Sequence, residues 1–467
     1  MKRTYIKDLV DQTGKKVKIN GWVSVRRDHG KLLFMDVRDH TASVQVVFKA
    51  ADDSQLKAAE VVRAEFVVEI EGEVKKRPEK LVNPHTTTGQ IELTVDKLTI
   101  INAAQTPPFE VEDEHHTAGE EIRMQYRYLD LRSKRMQEIM QFRHKFIKSI
   151  RDYLDQAGFI EIETPILTKS SPEGSRDFLV PSRLSRGNFY ALPQAPQQFK
   201  QLLMIAGFER YYQIARCFRD EDLRLDRQPE FTQLDLEMSF VDQEEILKLT
   251  EEMFKTVIKN LLPEKKLPAK FPRLTYDEVM AKYKTDKPDL RKNKKDDDEL
   301  AFAWIVDFPV FEKNNEGDIT FAHNPFARPR DEDLKLLDSK NPADLLKVRA
   351  YSYDLVLNGF ELSSGGLRIH DPQLQTKIFK LMGLSDKEIN ERFGEFLKAF
   401  AYGAPPHGGL APGLDRIIMI LQKTASIRDV VAFPKTGDMR DLMLDTPSAA
   451  SPDQLQELGI NIIKPKK

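Results

Sequence analysis

The chain has 467 residues and carries 72 Lys and Arg against 74 Asp and Glu, a formal net charge of −2. This length exceeds a single ordinary core and predicts two or three domains. A composition of 31% charged and 40% hydrophobic residues is typical of globular proteins and excludes a largely disordered chain. The near-zero net charge excludes a wholly basic nucleic-acid coat, although it allows a local basic face.

The sequence contains one cysteine, Cys217, which excludes an intramolecular disulfide framework and a multi-cysteine zinc cage and fits a reducing compartment. Because no activating His pattern accompanies it, we interpret Cys217 as a small buried apolar residue. The start of the chain lacks the apolar core of a signal peptide, and no run of about 18 apolar residues is present. We therefore expect a cytoplasmic protein with no membrane-spanning segment.

Residues 1–105 are predicted to be rich in β-strands. The runs high in Val, Ile and Phe are INGWVSV (19–25), LLFMDV (32–37), VQVVF (44–48), FVVEIEGEV (66–74) and IELTVDKLTII (91–101). A predicted helix, SQLKAAEVVRA (54–64), separates the third run from the fourth. Five strands interrupted in this way favour a small closed barrel of the OB type. The region is slightly basic, with 18 Lys and Arg against 15 Asp and Glu, so the remainder of the chain holds the acidic excess.

Residues 106–135 are predicted to form a linker or hinge. The stretch AAQTPPFEVEDEHHTAGEE is rich in Pro, small and acidic residues and has no apolar periodicity. The adjacent His115 and His116 suggest a metal site, but neither Cys nor a spaced His pair accompanies them. We therefore favour a solvated linker.

From residue 136 to residue 467 the pattern alternates between helices and strands and predicts an α+β domain. Apolar residues at helical spacing from Ile139 to Leu154 predict a helix that ends at Gly158. Further predicted elements are a strand over 159–167, strands around 211–218 and 231–240, a helix over 244–262, and strand–helix alternation beyond 300. The stretch 263–300 is Pro- and Lys-rich, and the mixed charge run at its end, RKNKKDDDEL (291–300), is interpreted as a solvated loop.

Three clusters of residues suggest chemistry, and the densest is Phe218-Arg219-Asp220-Glu221 with Arg224, Arg227, Gln228, Glu230 and Phe231 after it. An arginine can hold a phosphate or carboxylate through two hydrogen bonds, and an aromatic ring can stack on a base. A carboxylate two residues later in a strand points to the same side as the arginine. A charged hairpin at the surface is an equally good interpretation of this cluster alone.

The second cluster is GGLAPGLDRIIMIL (408–421), in which small residues allow a ligand to approach the backbone and Arg416 opens an apolar helical run. No P-loop pattern and no strand-linked G-x-G-x-x-G is present, which argues against those two nucleotide sites. The third cluster is Asp354 with Glu361, with an Asn-Gly turn signal between them. Two carboxylates that converge beside phosphates suit Mg²⁺, whereas two exposed strand carboxylates are the simpler interpretation.

Together and in this order, the clusters resemble motifs 2 and 3 and the intervening acidic strand of class II aminoacyl-tRNA synthetases, and FIEIETPIL (159–167) resembles motif 1. More closely, the chain resembles bacterial-type aspartyl-tRNA synthetases. The segments that carry this resemblance are YRYLDLR (126–132), TPILTKSSPEGSRDFLVPSR (164–183), QQFKQLLMIAGFERYYQIARCFRDEDLRLDRQPEFTQLDLE (197–237), PPHGGLAPGLDR (405–416) and SIRDVVAFPK (426–435). The resemblance covers essentially the whole chain. It implies an N-terminal OB-fold β-barrel and a class II catalytic domain, an antiparallel β-sheet flanked by helices.

The resemblance implies that L-aspartate and ATP form aspartyl-adenylate and that aspartate then passes to the 3′ end of tRNA(Asp). The implied catalytic residues are Arg219, Glu221 and Arg416, with Arg219 on the α-phosphate and Arg416 on the γ-phosphate. The implied ATP-binding residues are Arg219, Asp220, Glu221, Gln228, Phe231, Glu361, Gly413, Leu414, Asp415 and Arg416. Asp354 and Glu361 match the Mg²⁺ carboxylates. Positioning and electrostatic stabilisation would carry this chemistry without a general base or a covalent nucleophile.

An aspartate side chain is an anion, so its binding site requires cations. By resemblance, Lys200 and Arg368 hold the side-chain carboxylate and Asp235 orients the lysine. The whole implied aspartate-binding set is Glu173, Gln197, Lys200, Arg219, Asp235, His323 and Arg368, of which Glu173 and Gln197 lie at the α-amino end. Asparagine is nearly isosteric with aspartate, so discrimination must come from charge.

The resemblance also makes the N-terminal barrel an anticodon-binding domain. Its implied tRNA residues are Arg27, His29, Phe34 and Gln45, with Phe34 as the platform on which an unpaired base stacks. Alternation in LLFMDV allows either Leu33 or Phe34 to point outward, and spacing alone does not decide between them.

The chain departs from the family pattern at several places. Bacterial relatives carry a domain of roughly a hundred residues between motifs 2 and 3, which is predicted here to be reduced to a short loop near 285–300. The substituted positions are Ala195 in place of Ser, Asn324 in place of His, Pro412 in place of Phe or Leu, and Ser363-Ser364 in place of glycines. These changes are expected to alter the details of the aspartate pocket.

Two alternatives accompany this interpretation. One is a non-discriminating enzyme that also charges tRNA(Asn), which His29 favours and Lys80 argues against. The other is a non-catalytic tRNA-binding paralogue, which the presence of Arg219, Glu221, Asp354, Glu361 and Arg416 together disfavours. By analogy with motif 1, we expect a homodimer.

Overall fold

The structure is a computed structural model that describes residues 1–29, 32–49, 53–112, 117–170, 174–314, 317–322 and 324–463. Internal contacts divide the chain into two compact units, Met1–Glu138 and Ile139–Lys467. The sequence also singled out His115, His116, Glu173 and His323, which lie outside the described residues. Within the described ranges, no helix is both long enough and apolar enough to cross a membrane.

The first unit is built around a closed five-stranded barrel. Its strands are β1 (Lys16–Asp28), β2 (Leu32–Arg38), β3 (Ser43–Lys49), β4 (Val67–Lys76) and β5 (Ile91–Asn102), which close in the order β1-β2-β3-β5-β4. The pairing of β3 with β5 is parallel, and the other neighbouring pairs are antiparallel. Helix α1 (Asp53–Glu60) lies between β3 and β4. The predicted barrel with its interrupting helix is therefore confirmed.

Alternation along the strands separates the inside of the barrel from its outer face. In β2, Leu33, Met35 and Val37 are buried in the core, whereas Phe34 and Asp36 are only partly buried. Because successive side chains of a strand point to opposite faces, burial of Leu33 turns Phe34 outward. The structure thus settles the choice that the spacing left open.

Short helical segments complete the first unit. These are 3₁₀ turns at Ile6–Gln12 and Glu79–Leu81 and two short helices, α2 (Glu120–Gln125) and α3 (Arg127–Asp130). A long helix, α4 (Lys134–Gln156), follows and buries Ile139, Phe146, Ile150 and Leu154 at intervals of about one or two turns. The chain leaves α4 through Gly158 at φ +79°, which confirms the predicted helix stop.

The second unit contains a large sheet. The strands in chain order are β6 (Ile160–Glu161), β7 (Leu179–Pro181), β8 (Phe189–Ala191), β9 (Arg210–Phe218), β10 (Glu230–Ser239), β11 (Arg273–Thr275), β12 (Phe302–Val306), β13 (Phe311–Lys313), β14 (Ile319–Phe321), β15 (Ser352–Leu357), β16 (Phe360–Leu367) and β17 (His407–Leu410). Eight of them form one sheet in the order β11-β12-β15-β16-β17-β10-β9-β6, and β7–β8 and β13–β14 form separate pairs. The central strands are antiparallel as predicted, whereas the edge strands β11 and β6 run parallel to their neighbours and make the sheet mixed.

The strand predicted over 159–167 is wrong beyond Glu161. Only Ile160–Glu161 pairs with β9, after which the Ile162 N–H donates one more hydrogen bond, 3.1 Å long, to the Tyr212 carbonyl. Pro165 lacks an N–H group for a ladder, so the segment continues as irregular structure.

The second unit also contains seven helices after α4 in the described ranges. They are α5 (Gln197–Ile205), α6 (Gln243–Leu261), α7 (Tyr276–Tyr283), α8 (Pro372–Leu381), α9 (Asp386–Phe400), α10 (Leu414–Leu421) and α11 (Pro452–Leu458), with 3₁₀ turns at Asp331–Asp338, Pro342–Lys347 and Ile427–Asp429. The predicted helix over 244–262 is confirmed as α6. Within the Pro- and Lys-rich stretch 263–300, β11 and α7 form, and Thr275 and Glu278 make a capping box that starts α7.

Two connections bear on the site described below. The hairpin between β15 and β16 turns at Asn358-Gly359, whose φ values are +50° and +89°, as the Asn-Gly signal predicted. The segment 284–301, between α7 and β12, has no helix or strand. Its residues Asp296 and Asp298 form ion pairs of 2.7 and 2.9 Å with Lys266 and Lys265, respectively.

Candidate active site

The second unit has a cavity of about 370 Å³ over the middle of the sheet. The predicted site residues that line it are Gln197, Lys200, Arg219, Glu221, Gln228, Phe231, Asp354, Glu361, Arg368, Gly413, Asp415 and Arg416. These residues lie on or next to α5, the β9–β10 hairpin, the β15–β16 hairpin and the start of α10. The order of the sheet brings these segments together. Residues far apart in sequence therefore line one cavity.

The β9–β10 hairpin places an arginine against an aromatic ring. The Arg219 N–H donates to the Pro229 carbonyl at 2.8 Å, which holds the residue at the end of β9. Its guanidinium carbon lies 5.1 Å from the centroid of the Phe231 ring, in the range of a cation–π contact. Among the described residues, the buried Arg219 Nε has no hydrogen-bond partner, so the group retains capacity for an anion in the cavity.

Two other hairpin residues are already engaged by protein groups. Glu221 forms a 3.3 Å ion pair with Arg227 and accepts a hydrogen bond from the Ser175 hydroxyl. The Gln228 amide accepts from the Lys435 N–H at 2.8 Å and donates to the Lys435 carbonyl at 3.2 Å. Gln228 therefore fastens the hairpin to the segment around Lys435 as well as lining the cavity.

The start of α10 brings a second arginine to the cavity. The Arg416 Nη2 lies 3.2 Å from Asp226 Oδ2, and its Nη1 donates to the Glu361 carbonyl. The Arg416 Nε is buried without a partner in the described part of the chain. This guanidinium thus joins the β9–β10 hairpin to β16 and still has a donor to offer.

Some residues predicted to bind ATP have other roles for their side chains. Asp220 is not among the cavity-lining residues and pairs with Arg176 at 3.4 Å, and Leu414 is buried in the core. Asp415 reaches the cavity, but its carboxylate accepts from the Thr232 N–H at 2.8 Å and pairs with Arg143 of α4. These side chains therefore support the site, and the contact of these three residues with ATP stays a prediction.

Arg143 was missed by the sequence analysis. It donates to the Thr232 hydroxyl at 3.1 Å as well as to Asp415, so one arginine of α4 braces β10 and the start of α10. The only signal for Arg143 in the sequence is that it is a charged residue within the apolar pattern of a helix.

Asp354 and Glu361 lie on adjacent antiparallel strands. Asp354 is opposite Ser364 in the register, and Ser364 gives it a hydrogen bond. Burial and the nearby Glu361 carboxylate raise the pKa of Asp354 well above its usual range, against the opposing effect of Ser364. Within the described residues no group of three or more His, Cys, Asp or Glu side chains could hold a metal. A cation bound by this pair would therefore need further oxygens from a substrate.

A second group of charged side chains is buried around β10. Lys200 of α5 lies 3.2 Å from Asp235 and 3.6 Å from Glu237, and Arg368 donates to both oxygens of Glu237 at 2.8 and 3.2 Å. All four side chains are at most 2% exposed. Lys200 and Arg368 also line the cavity, and the Arg368 Nη1 has no partner among the described residues. The cluster thus presents cations to the cavity and keeps carboxylates behind them.

The two carboxylates of this cluster differ in their titration. Burial raises the pKa of Glu237, but Arg368 and Lys200 outweigh burial and hold that pKa below its usual value. For Asp235, burial outweighs the attraction of Lys200, so its pKa is raised. Glu237 was missed by the sequence analysis, although its position two residues after Asp235 in a strand places both on one face.

The departures noted in the sequence lie around the same cavity. Ala195, Asn324, Ser363 and Ser364 line it, and the Asn324 side chain accepts the Phe326 N–H at 3.0 Å to shape a turn. Pro412 accepts the Leu234 N–H at 2.9 Å through its carbonyl. Cys217 is fully buried as predicted and donates to Gln233 at 3.2 Å.

The barrel carries the residues predicted to bind tRNA on its outer face. Arg27 lies opposite Phe34 in the register of β1 and β2, and it forms a 2.8 Å ion pair with Asp36. The His29 ring meets the Phe34 ring edge to face at 5.6 Å, and Gln45 is opposite Asp36 on β3. The four predicted residues therefore share one surface of the barrel, outside its core.

Two family models match the chain. Residues 119–437 match the tRNA synthetases of class II (D, K and N), and residues 17–101 match the OB-fold nucleic acid binding domain. The chain belongs to the class II tRNA synthetases. The first match covers the cavity and all of its lining residues.

Curated relatives match this synthetase over nearly its full length. It is 40% identical to the aspartate--tRNA ligase of Staphylococcus saprophyticus over 580 aligned positions, covering 97% of each chain. It is 42% identical to the aspartate--tRNA(Asp/Asn) ligase of Thermoanaerobacter pseudethanolicus over 590 positions, covering 99% of this chain and 98% of the relative. Both alignments are more than a hundred positions longer than this chain, so the relatives carry insertions that the synthetase lacks.

Solved structures show the same fold at lower identity. The asparaginyl-tRNA synthetase of Pyrococcus horikoshii with asparaginyl-adenylate superposes with a TM-score of 0.74 at 22% identity, covering 93% of this chain and 98% of that one. A putative aspartyl-tRNA synthetase from Leishmania major gives 0.75 at 21% identity, covering 93% and 94%. These likenesses support the predicted fold class.

The buried charge cluster leads to a prediction about stability. Replacing Glu237 with Gln leaves Lys200 and Arg368 without their shared carboxylate, and breaking a buried ion pair costs about 3–5 kcal/mol. We expect E237Q to lower the free energy of unfolding of the second unit by about that amount, measured by urea denaturation. The matched substitution E264Q, at an exposed glutamate, should change it little, and equal denaturation midpoints for both variants would contradict the account.

Proposed function

We propose that this synthetase ligates L-aspartate to tRNA(Asp) by way of aspartyl-adenylate, with ATP as the second substrate. The observation that carries the proposal is the pair of buried cations, Lys200 and Arg368, at the wall of the cavity. A substrate carboxylate fits against them, because the Arg368 Nη1 still lacks a partner in the described residues. The names of the curated relatives support the same amino acid.

In the first step, an oxygen of the substrate's α-carboxylate attacks the α-phosphorus of ATP and pyrophosphate leaves. Arg219 and Arg416 reach the cavity from two sides with unsatisfied Nε donors, so they suit the charge that develops on the phosphates. Phe231 offers the ring on which adenine packs. In the second step, a 3′-terminal ribose hydroxyl of tRNA attacks the adenylate carbonyl carbon, and AMP leaves.

An exchange assay tests the activation step. Replacing Arg219 with Ala removes a charge-stabilising donor, and losses of this kind lower rates about 10²–10³-fold. We expect R219A to lose aspartate-dependent ATP–pyrophosphate exchange by at least about a hundredfold, while its fold, measured by circular dichroism, is retained. Undiminished exchange in R219A would contradict the role of Arg219, and absent exchange in the parent protein would favour a non-catalytic paralogue.

We also propose that Asp354 and Glu361 hold Mg²⁺ together with phosphate oxygens. The fit rests on the donor set, because hard cations prefer carboxylate oxygens, and on the burial of Asp354 beside Glu361, which together raise the pKa of Asp354. When bound, Mg²⁺ would neutralise charge on the phosphates of ATP.

A magnesium titration checks this site. Replacing Asp354 with Asn removes one anionic ligand, so D354N should need about tenfold more Mg²⁺ for half-maximal exchange. The control is D277N, since Asp277 lies at the start of α7 and is not among the cavity-lining residues. Identical Mg²⁺ requirements in D354N and the parent protein would argue against the site.

The outer face of the barrel supports a role in anticodon binding. Phe34 is partly exposed among Arg27, His29 and Gln45, which suits a base stacked on the ring with polar groups at its edge. Lys and Arg outnumber acids in this region, which favours a phosphate backbone.

Separate assays of the two steps test that role. Stacking of a base on an aromatic side chain is worth about 1–3 kcal/mol, so F34A should raise the KM for tRNA by about 5- to 150-fold. ATP–pyrophosphate exchange without tRNA should remain unchanged. The neighbouring L33A provides the contrast, because Leu33 is a core residue whose truncation destabilises the barrel by about 2–5 kcal/mol. A parallel loss of charging and exchange in F34A would argue against an anticodon role.

A second candidate function is charging of tRNA(Asn) with aspartate. The observation that favours it is that some relatives, including that of Thermoanaerobacter pseudethanolicus, are named as Asp/Asn ligases. His29 beside Phe34 lies where a base of the anticodon would be read. Charging of purified tRNA(Asp) and tRNA(Asn) side by side distinguishes the two functions.

We place this activity in the cytoplasm, where tRNA is charged, and propose that the enzyme works as a homodimer. Support for the dimer comes from the segment that resembles motif 1. Its residues Ile160, Ile166 and Leu167 are about half exposed, which is unusual for three apolar side chains so close in sequence.

A further inference from the structure

A chain of buried hydrogen bonds leads from the cavity wall into the protein. The Gln197 Nε2 donates to Gln201 Oε1 at 3.1 Å, and the Gln201 Nε2 lies 3.0 Å from His407 Nε2. The His407 Nδ1 lies 2.7 Å from the Pro405 carbonyl oxygen. All three side chains are buried, and of the three only Gln197 lines the cavity.

The carbonyl at one end fixes the direction of every bond in this chain. A carbonyl oxygen only accepts, so His407 Nδ1 must carry the proton that points to Pro405. In a neutral imidazole the other nitrogen is then an acceptor, and Gln201 must direct its NH₂ group toward it. The Gln201 oxygen is thereby left to accept from the Gln197 NH₂ group, and the Gln197 oxygen is the atom that remains for the cavity.

The surroundings of His407 keep the imidazole neutral. Burial lowers the pKa of His407, and the positive charge of Arg368 and the neighbouring His370 act in the same direction. The Glu237 carboxylate and the hydrogen bond to Pro405 oppose them without reversing the shift. A neutral ring is needed, because a protonated Nε2 would confront the Gln201 NH₂ group with a second donor.

The same histidine is linked to the cation that faces the cavity. His407 begins β17, and its carbonyl accepts the Arg368 N–H at 2.8 Å. Gln197 and Gln201 lie one turn apart on α5, the helix that also carries Lys200. His407 is thus hydrogen-bonded directly to Arg368 and, through Gln201, to Gln197, and both of these residues line the proposed amino-acid pocket.

We infer that His407 and Gln201 are positioning residues that orient the Gln197 amide, so that its oxygen accepts a hydrogen bond from the substrate's α-ammonium group. The inference rests on the proposed binding of aspartate in this cavity. An ammonium group only donates, so a Gln197 amide turned the other way would present it with NH₂ and lose the contact. Hydrogen bonds to charged groups are among the stronger ones, so the orientation should matter for the KM of aspartate.

Paired substitutions of His407 test this role. H407F keeps a ring of similar size but removes the acceptor for Gln201, whereas H407Q can place an amide oxygen near the former Nε2. We expect H407F to raise the KM for aspartate about tenfold in ATP–pyrophosphate exchange, with the KM for ATP unchanged. H407Q should restore the KM for aspartate to within about threefold of the parent value.

Succinate separates orientation of the amide from general damage to the pocket. This dicarboxylate has both acidic groups of aspartate but no ammonium, so its inhibition constant should be the same in H407F and the parent protein. Equal weakening of aspartate and succinate, or no change in either, would overturn the inference. If H407F fails to fold, Q201M, which can neither accept from Gln197 nor donate to His407, serves in its place with the same expected results. Loss of aspartate exchange in the parent protein itself would instead contradict the proposed function, and this inference with it.

Discussion

The site depends on the burial of one carboxylate, Glu237, between two cations. Burying a charge is costly, and it is tolerated only where partners replace the water that the charge gives up. Arg368 supplies two hydrogen bonds and Lys200 a close positive charge, so Glu237 fixes both cations in place. Because the Arg368 Nη1 has no partner among the described residues, the cluster still has a donor to offer to an anion in the cavity.

The preference for an acidic substrate follows from that arrangement. A second carboxylate at the cavity side would give the Arg368 Nη1 the acceptor that it lacks together with a negative charge, whereas the amide of asparagine would offer an oxygen without that charge. Sites built around buried polar partners reject analogues that lack the partner much more strongly than apolar pockets reject a missing methylene. In the proposed function, the buried charges around Glu237 thus set the selectivity for aspartate.

The sheet order explains how distant segments meet at this place. Strands β16, β17 and β10 are neighbours, so Glu361, Arg368 and the start of α10 approach the β9–β10 hairpin across two hydrogen-bonded ladders. Arg143 on α4 then ties Asp415 to Thr232, which holds the two arginine-bearing segments in one frame. Glycine at 409 allows the ladders to close, since a Cβ there would lie 2.0 Å from the Leu236 carbonyl oxygen.

Much of the fold could be predicted from local sequence patterns. The barrel strands, the helix before Gly158 and the Asn-Gly hairpin follow from alternation, helical spacing and turn chemistry, which act within a few residues. The prediction of a strand over 159–167 was wrong beyond Glu161, because the apolar pattern does not reveal that only two residues pair with β9 at the sheet edge. The capping box at Thr275 was overlooked within a charged, Pro-rich stretch that resembles a loop.

The site was predictable in its residue types and less so in its contacts. Arg219, Arg416, Asp354 and Glu361 were marked by motif, and all four line the cavity. By contrast, the engagement of Gln228 with Lys435, of Asp415 with Arg143, and of Glu237 with both cations depends on pairings between distant segments. No spacing rule within one chain encodes such pairings, because they arise only when the sheet is assembled.

The most direct test of the account is the amino-acid dependence of ATP–pyrophosphate exchange in the unmodified enzyme, measured in parallel with aspartate, asparagine and lysine. We expect exchange with aspartate, a kcat/KM lower by about a hundredfold or more for asparagine, and no exchange with lysine. Equal exchange with asparagine or lysine, or none with aspartate, would contradict the claim that the buried charges around Glu237 select the substrate.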